Sequence, residues 1–96
     1  MRILLMEYQP RLSNIISRGL TDFGFQVVQA HDGETGMKLA DEGAYDVAVI
    51  NAFLPKIDGL TVYKRLRQDH FRTPILILAE KQKTRPASPD GTLCRC

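Results

Sequence analysis

Cysteine is scarce in this sequence of 96 residues, and both copies, Cys94 and Cys96, lie at its extreme C-terminal end. Two cysteines cannot form the disulfide framework of a small secreted domain, and they cannot supply the four ligands of a structural zinc site. We therefore interpret both residues as incidental to the fold and the function.

Long hydrophobic runs are missing as well. The longest apolar run, residues 75–79, has only five residues, whereas a helix that crosses a bilayer needs about 20. Near the N-terminus Glu7 interrupts the apolar run 3–6, which leaves no room for the apolar stretch of about 7 to 15 residues in a secretory signal. We expect a cytoplasmic protein without a membrane span.

The sequence also has little charge of one sign. Up to Ala79 it contains nine Lys or Arg and nine Asp or Glu, so the net charge of +2 comes entirely from the last 17 residues. A nucleic-acid-binding domain usually carries a basic face. We therefore expect no direct nucleic-acid binding by these residues.

Short apolar runs alternate with segments of helical period, which is typical of a parallel sheet covered by helices. The predicted strands are residues 3–6, 25–28, 47–50 and 75–78. Apolar stripes predict the buried faces of two helices: Leu12, Ile15, Ile16, Leu20 and Phe23 in the first, and Leu60, Tyr63 and Leu66 in the third.

The predicted helix ends carry the residues that favour them. Pro10 suits the first turn of the first helix, and Gly24 suits its exit. Asp32 is the predicted N-cap of a second helix that ends near Gly43, and Asp58 is the predicted N-cap of the third. The sequence therefore predicts strands and helices that alternate along the chain.

Polar residues follow the predicted strands at the points where a site is expected. Ligands of an open parallel sheet bind beyond the carboxyl ends of its strands. Glu7, Tyr8 and Gln9 follow the first strand, Asn51 follows the third, and Ala79 follows the fourth. These five residues are the candidate site.

Four segments carry a resemblance to a known family: MRILLMEYQPRL, GFQVVQAHDGETGMKLA, YDVAVINAFLPKIDGL and RTPILILAE. In order and spacing they resemble the receiver domain of response regulators, most closely those joined to winged-helix DNA-binding domains. The resemblance covers residues 1–79. It implies an α/β, flavodoxin-like, doubly wound parallel sheet of strand order 2-1-3-4-5, incomplete here because the fourth helix, fifth strand and fifth helix are lacking.

The resemblance also implies a mechanism. In that family a phosphohistidine of a sensor kinase donates its phosphoryl group to an aspartate at the end of the third strand. Mg²⁺ held by two acids after the first strand assists the transfer, together with a Thr or Ser after the fourth strand and a Lys after the fifth.

This sequence departs from the family at each of these positions. Asn51 stands at the acceptor position, and its neutral amide is not a usable nucleophile. Tyr8 and Gln9 replace the acid pair, so Glu7 alone is expected to hold Mg²⁺ poorly. Ala79 cannot donate a hydrogen bond to a phosphate oxygen, and the Lys is missing. We expect no catalytic residue, no metal site and no cofactor.

Each candidate residue has a simpler interpretation. Asn51 could be a turn residue after a strand, a role that Asn fills well. Glu7 has no evident partner and reads as an idle residue of the former pocket. Tyr8 is expected to cover the pocket mouth. His31 and His70 lie in loops with no other ligand at metal-binding spacing, so we expect both to be exposed.

The pattern is lost after Ala79, and residues 80–96 read as a disordered or unrelated tail because they contain two prolines and a Pro-Asp-Gly turn signal. The fourth strand is then an apolar edge, which invites pairing with another chain. We expect the isolated chain to be unstable, prone to self-association through this edge or dependent on a partner.

Three hypotheses remain open from the sequence. The leading one is a receiver-like module of a two-component phosphorelay, not an enzyme, that cannot accept phosphate and acts by non-covalent contact with a sensor histidine kinase or another response regulator. The second is a truncated or frameshifted remnant of a DNA-binding response regulator. The third is a metal-dependent enzyme that uses Glu7, although no second acid or nucleophile accompanies it.

Overall fold

Four parallel strands and three helices alternate in a computed structural model of the chain, which describes residues 1–79. The strands are Arg2–Met6 (β1), Gln26–Ala30 (β2), Val47–Asn51 (β3) and Ile75–Leu78 (β4), and the helices are Pro10–Asp22 (α1), Gly33–Glu42 (α2) and Gly59–Gln68 (α3). The strand order is β2-β1-β3-β4. The predicted fold class is confirmed, whereas the predicted tail, residues 80–96, lies outside the described residues.

The helix ends follow the local chemistry of the sequence. Pro10 is the first residue of α1, where its missing N–H costs no hydrogen bond. Gly24 follows α1 with φ +92°, a left-handed conformation that glycine adopts without strain. The side chains of Asp32 and Asp58 accept hydrogen bonds from backbone N–H groups in the first turns of α2 and α3. These predicted ends are confirmed.

The sheet is covered on both faces, as a doubly wound fold requires. On one face α2 and α3 pack over a core that includes Leu4, Met6, Ile50, Val62 and Leu66. On the other face α1 packs through Ile16 and Leu20 against Ile3, Leu5 and Val49. The two central strands, β1 and β3, are therefore the most deeply buried elements.

The predicted stripe of α1 is only partly correct. Ile15 and Phe23 are 62% and 81% exposed. The buried face instead contains Ser13, whose hydroxyl donates to the Gln29 side-chain oxygen at 2.6 Å. A buried polar group that finds such a partner is tolerated in a core, so this polar contact helps to set which side of α1 faces the sheet.

The predicted stripe of α3 was wrong for two of its three residues. Leu60 and Tyr63 are exposed, whereas Val62 and Leu66, four residues apart, are buried. Gly59 lies so close to the Asn51 carbonyl that no side chain fits between them. This close approach fixes the rotation of α3 and turns Leu60 and Tyr63 outward.

Strand β4 is an edge of the sheet in the part of the chain that the structure describes, because its only neighbour there is β3. Leu76 is 57% exposed, which agrees with the prediction of a poorly covered apolar strand.

No described helix is long and apolar enough to cross a membrane.

Candidate functional site

The carboxyl ends of three neighbouring strands, β1, β3 and β4, lie at the same end of the sheet. Backbone hydrogen bonds tie these ends into the sheet: Glu7 N donates to Ala30 O of β2 at 2.9 Å, and Ala52 N donates to Leu78 O of β4 at 2.8 Å. The last residues of these strands and the segments that follow them carry all of the predicted site residues. The parallel topology therefore brings them to the same end of the molecule.

A buried hydrogen bond joins the residues after β1 and at the end of β3. The Asn51 side-chain Nδ2 donates to Glu7 Oε1 at 2.7 Å. Glu7 is fully buried and Asn51 is 1% exposed. Because both side chains are buried, water does not compete for this hydrogen bond.

The remaining polar atoms of this pair are also engaged. Glu7 Oε2 accepts from the Gln9 backbone N–H at 3.1 Å. Asn51 Oδ1 accepts from the Phe53 backbone N–H at 2.8 Å. Among the described residues, no buried side-chain nitrogen or oxygen lacks a hydrogen-bond partner. In this network the Glu7 and Asn51 side chains hydrogen-bond to each other, and they also accept hydrogen bonds from the backbone N–H groups of Gln9 and Phe53.

The network corrects one expectation and extends another. The sequence suggested no partner for Glu7, but Asn51 lies across the gap between β1 and β3 and donates to it. Asn51 also performs the turn role, because its side chain accepts from the backbone two residues further along. The turn interpretation of Asn51 is therefore compatible with its place in the network, while its interpretation as the acceptor-equivalent position stays a prediction.

The other site residues are less closely connected. Tyr8 is half-buried and packs against the core on the α2 and α3 face. Gln9 is exposed, and its side-chain Nε2 donates to the Tyr8 hydroxyl at 3.1 Å. Ala79 follows β4 and is exposed, with only a methyl group as its side chain. The expectation that Tyr8 covers a pocket mouth stays a prediction.

The residues present do not fit Mg²⁺. This ion prefers carboxylate oxygens and retained waters in octahedral geometry, but both Glu7 oxygens already accept protein hydrogen bonds and Glu7 is sealed from solvent. Tyr8 and Gln9 add no carboxylate. Within residues 1–79 there is no group of three or more His, Cys, Asp or Glu side chains that could hold a metal ion.

The loop between β3 and α3 is fastened to the start of α2, a feature that the sequence did not suggest. The Lys56 ammonium lies 3.8 Å from an Asp32 carboxylate oxygen and 3.5 Å from one of Glu34. Gly33 N donates to Pro55 O at 3.3 Å. Exposed ion pairs contribute little to stability, so the close backbone approach at Gly33 is the stronger constraint.

The two helix caps have lowered pKa values but lie outside the Glu7 and Asn51 network. Hydrogen bonds from the Thr61 side chain and from the first backbone N–H groups of α3 lower the pKa of Asp58. A backbone hydrogen bond from Thr35 is the main cause that lowers the pKa of Asp32. Hydrogen bonds to a carboxylate favour its charged form, and both groups therefore act as structural caps.

His31 and His70 are exposed, as predicted.

An open parallel sheet, with helices on both faces and a polar network at the carboxyl ends of its central strands, defines a flavodoxin-like α/β domain. The sequence model of the family described as the response regulator receiver domain matches residues 3–88. The chain belongs to this family, the receiver domains of two-component response regulators, and the resemblance inferred from its four motifs is confirmed. The match extends past Ala79, and the domain boundary expected there stays a prediction.

Curated relatives support the same assignment. The chain is 39% identical to the transcriptional regulatory protein QseB of Haemophilus influenzae over 101 residues, which cover 99% of the chain and 46% of that protein. It is 40% identical to the transcriptional activator protein IrlR of Burkholderia pseudomallei over 81 residues, 84% of the chain and 35% of that protein. The chain thus spans less than half the length of these transcription regulators.

Solved structures give the same fold. The receiver domain of the Francisella response regulator 1452 superposes with a TM-score of 0.81 at 28% identity, covering 86% of the chain and 69% of that domain. The response regulator TrrA of Thermotoga maritima, in complex with Mg²⁺ and BeF, gives a TM-score of 0.79 at 26% identity, covering 88% and 73%. TrrA has also been solved in complex with the histidine kinase ThkA.

Proposed function

We propose that this chain is a receiver domain that does not accept a phosphoryl group and acts through non-covalent contacts with signalling proteins. The observation that carries the proposal is the buried hydrogen bond from Asn51 to Glu7. By resemblance to the family, Asn51 stands at the position of the acceptor aspartate. The proposal makes the chain a binding module and not an enzyme.

The chemistry of Asn51 supports this proposal. Formation of an acyl phosphate needs a carboxylate oxygen as nucleophile, whereas the amide nitrogen shares its lone pair with the carbonyl group. The amide nitrogen here donates to Glu7, and the amide oxygen accepts from Phe53. Neither atom is free to attack a phosphohistidine, and the buried carboxylate of Glu7 is equally engaged.

A sensor histidine kinase or another response regulator is the proposed partner. The support is the complex of TrrA with the histidine kinase ThkA, a pairing described for that protein. A domain that binds a kinase without taking the phosphoryl group would compete with competent receivers for it. Binding without transfer is therefore the outcome that distinguishes this proposal from ordinary receiver function.

Incubation with acetyl phosphate, or with the phosphorylated kinase, tests the proposal directly. Intact mass measured over time should show no added phosphoryl group, while a receiver with the complete acidic set gains one under the same conditions. A stable phosphoryl adduct mapped to Asn51 or Glu7 would contradict the proposal.

Variants of the site provide the matched controls. Asn51→Asp alone should remain unlabelled, because Tyr8, Gln9 and Ala79 still lack the groups that the family places there. The combination of Asn51→Asp with Tyr8→Asp and Gln9→Asp restores the carboxylates that Mg²⁺ prefers, and this variant should gain slow labelling. Rapid labelling of the single variant would show that Asn51 is the sole defect.

A further inference from the structure

The end of α3 and the loop that leads to β4 concentrate positive charge. Residues 64–72 carry four of the nine Lys and Arg side chains of residues 1–79, but only one carboxylate, that of Asp69. This loop precedes β4, whereas Asn51 ends β3. Because β3 and β4 are parallel, the cationic segment lies at the amino end of the sheet, opposite to the network of Glu7 and Asn51. It is therefore a separate part of the surface.

A shallow pocket lies within this segment. Its lining residues are Arg67, His70, Phe71 and Arg72, and its volume is about 450 Å³. No carboxylate of the described residues lines it, since Asp69 lines the neighbouring cavity between α2 and α3 instead. Within residues 1–79 neither arginine forms an ion pair. The pocket therefore has two positive charges that no described carboxylate neutralises, and such a surface attracts anions.

Arg67 is held in place by the protein itself. Its Nη1 donates to Phe71 O at 2.6 Å and to Thr73 O at 3.0 Å, and its guanidinium group lies over the Tyr63 ring, 5.5 Å from the ring centre. These contacts fasten the loop to α3 but engage only one of the three guanidinium nitrogens. Among the described residues, no hydrogen bond engages Nε or Nη2. A planar fork that is already ordered loses little freedom when a ligand binds to it.

The backbone at His70 adds a second observation. His70 follows α3 with φ +66°, and its N–H donates to Arg67 O at 3.1 Å, which closes the helix end. Glycine is the usual residue in this left-handed position, because a side chain there is strained. The backbone therefore does not account for a histidine. What histidine supplies is an imidazole ring at the pocket, whose N–H can donate a hydrogen bond.

We propose that this pocket binds the phosphate group of a small, soluble phosphomonoester. At neutral pH such a group carries close to two negative charges and presents three oxygen acceptors, which suit two guanidinium forks and one imidazole N–H. Arginine recognises phosphate through paired hydrogen bonds, so its fork adds geometry to charge. Phe71, half-buried in the pocket wall, would contact the organic part of the ester. The proposal does not depend on whether Asn51 accepts a phosphoryl group.

Phenyl phosphate and phenyl sulfate test the proposal as a matched pair, because they share a shape and differ by one charge at about pH 7.5. Backbone amide NMR of the 96-residue chain at low ionic strength should show saturable shifts at His70, Phe71 and Arg72 with phenyl phosphate. Phenyl sulfate should bind at least about threefold more weakly. Vesicles that contain phosphatidic acid present the same group on a membrane, and binding to them without binding of phenyl phosphate would overturn the proposal.

Two variants separate the pocket from general charge. Arg72→Gln should weaken the binding of phenyl phosphate at least about fivefold, because it removes a charge that lines the pocket. Arg65→Gln is the matched control: it removes an equal charge from the same segment, but Arg65 does not line the pocket, and binding should change less than about twofold. Both side chains are exposed, so neither change should disturb the fold. Equal weakening by both variants, equal affinity for the two esters, or the absence of saturable shifts would each contradict the proposal.

Discussion

At the scale of single residues, Asn51 and Glu7 depend on each other. Among residues 1–79 no Lys, Arg or His pairs with Glu7, and its buried carboxyl group accepts hydrogen bonds from the Asn51 amide and the Gln9 backbone N–H. A buried carboxyl group without such donors would be costly. An aspartate at position 51 would have no N–H to donate to Glu7, so we expect its carboxylate to repel that of Glu7.

Glu7→Ala should lower the free energy of unfolding by about 2 to 5 kcal/mol, because it leaves the Asn51 amide and the Gln9 N–H unpaired and opens a cavity. Chemical denaturation measures this change. Gln9→Ala is the control, since that side chain is exposed and its hydrogen bond within residues 1–79 is to the Tyr8 hydroxyl, and it should change stability by less than about 0.5 kcal/mol.

A double-mutant cycle of Glu7→Ala and Asn51→Ala isolates the bond itself. The coupling energy should be about 1 to 3 kcal/mol, as for residues in direct contact. Additive effects of the two substitutions would mean that the hydrogen bond contributes nothing to stability.

At the scale of elements, the strands were predictable and the helix faces were predictable only in part. Each strand was located to within about two residues because its apolar run is bounded by polar, glycine or proline residues. The rotation of α3 depends on the contact of Gly59 with the Asn51 carbonyl, which no periodicity reveals. The positions of Glu7 and Asn51 followed from topology, but their hydrogen bond depends on side-chain reach across the sheet.

Gly59→Ala should destabilise the protein by about 1 to 3 kcal/mol, since the new methyl group would meet backbone atoms of Asn51 and Ala52 that cannot move aside. Gly19→Ala is the matched change in α1, where nothing lies within 4 Å of the new methyl group, and it should stabilise by about 0.5 to 1 kcal/mol. Equal effects of the two substitutions on the denaturation midpoint would refute this account of α3.

The caps of α2 and α3 predict a pH dependence. Because the folded pKa values of Asp32 and Asp58 lie below the ordinary value of 3.8, their contribution to stability is present above that pH and is lost as the pH falls through the lowered folded values. Asp58→Asn retains a capping side chain that does not titrate. Melting temperatures below about pH 4 should therefore fall less steeply for Asp58→Asn than for the unmodified chain.

At the scale of the whole molecule, the described fold combines a well-covered region with separate apolar side chains that remain exposed. The ends of β1 and β3 are buried around Glu7 and Asn51, while Leu76, Ile15 and Phe23 remain exposed. Each exposed side chain of this size forgoes roughly 1.5 to 3 kcal/mol of burial, which is substantial against a domain stability of about 5 to 15 kcal/mol.

The central claim is that the network of Asn51 and Glu7 closes the site to Mg²⁺ and to a phosphoryl group. Addition of Mg²⁺ and BeF, the combination found on TrrA, followed by backbone amide NMR, tests it most directly. The resonances of Glu7, Asn51 and Ala79 should remain unchanged while a receiver with the complete acidic set shifts in parallel. Saturable shifts of these resonances in this chain would contradict the claim.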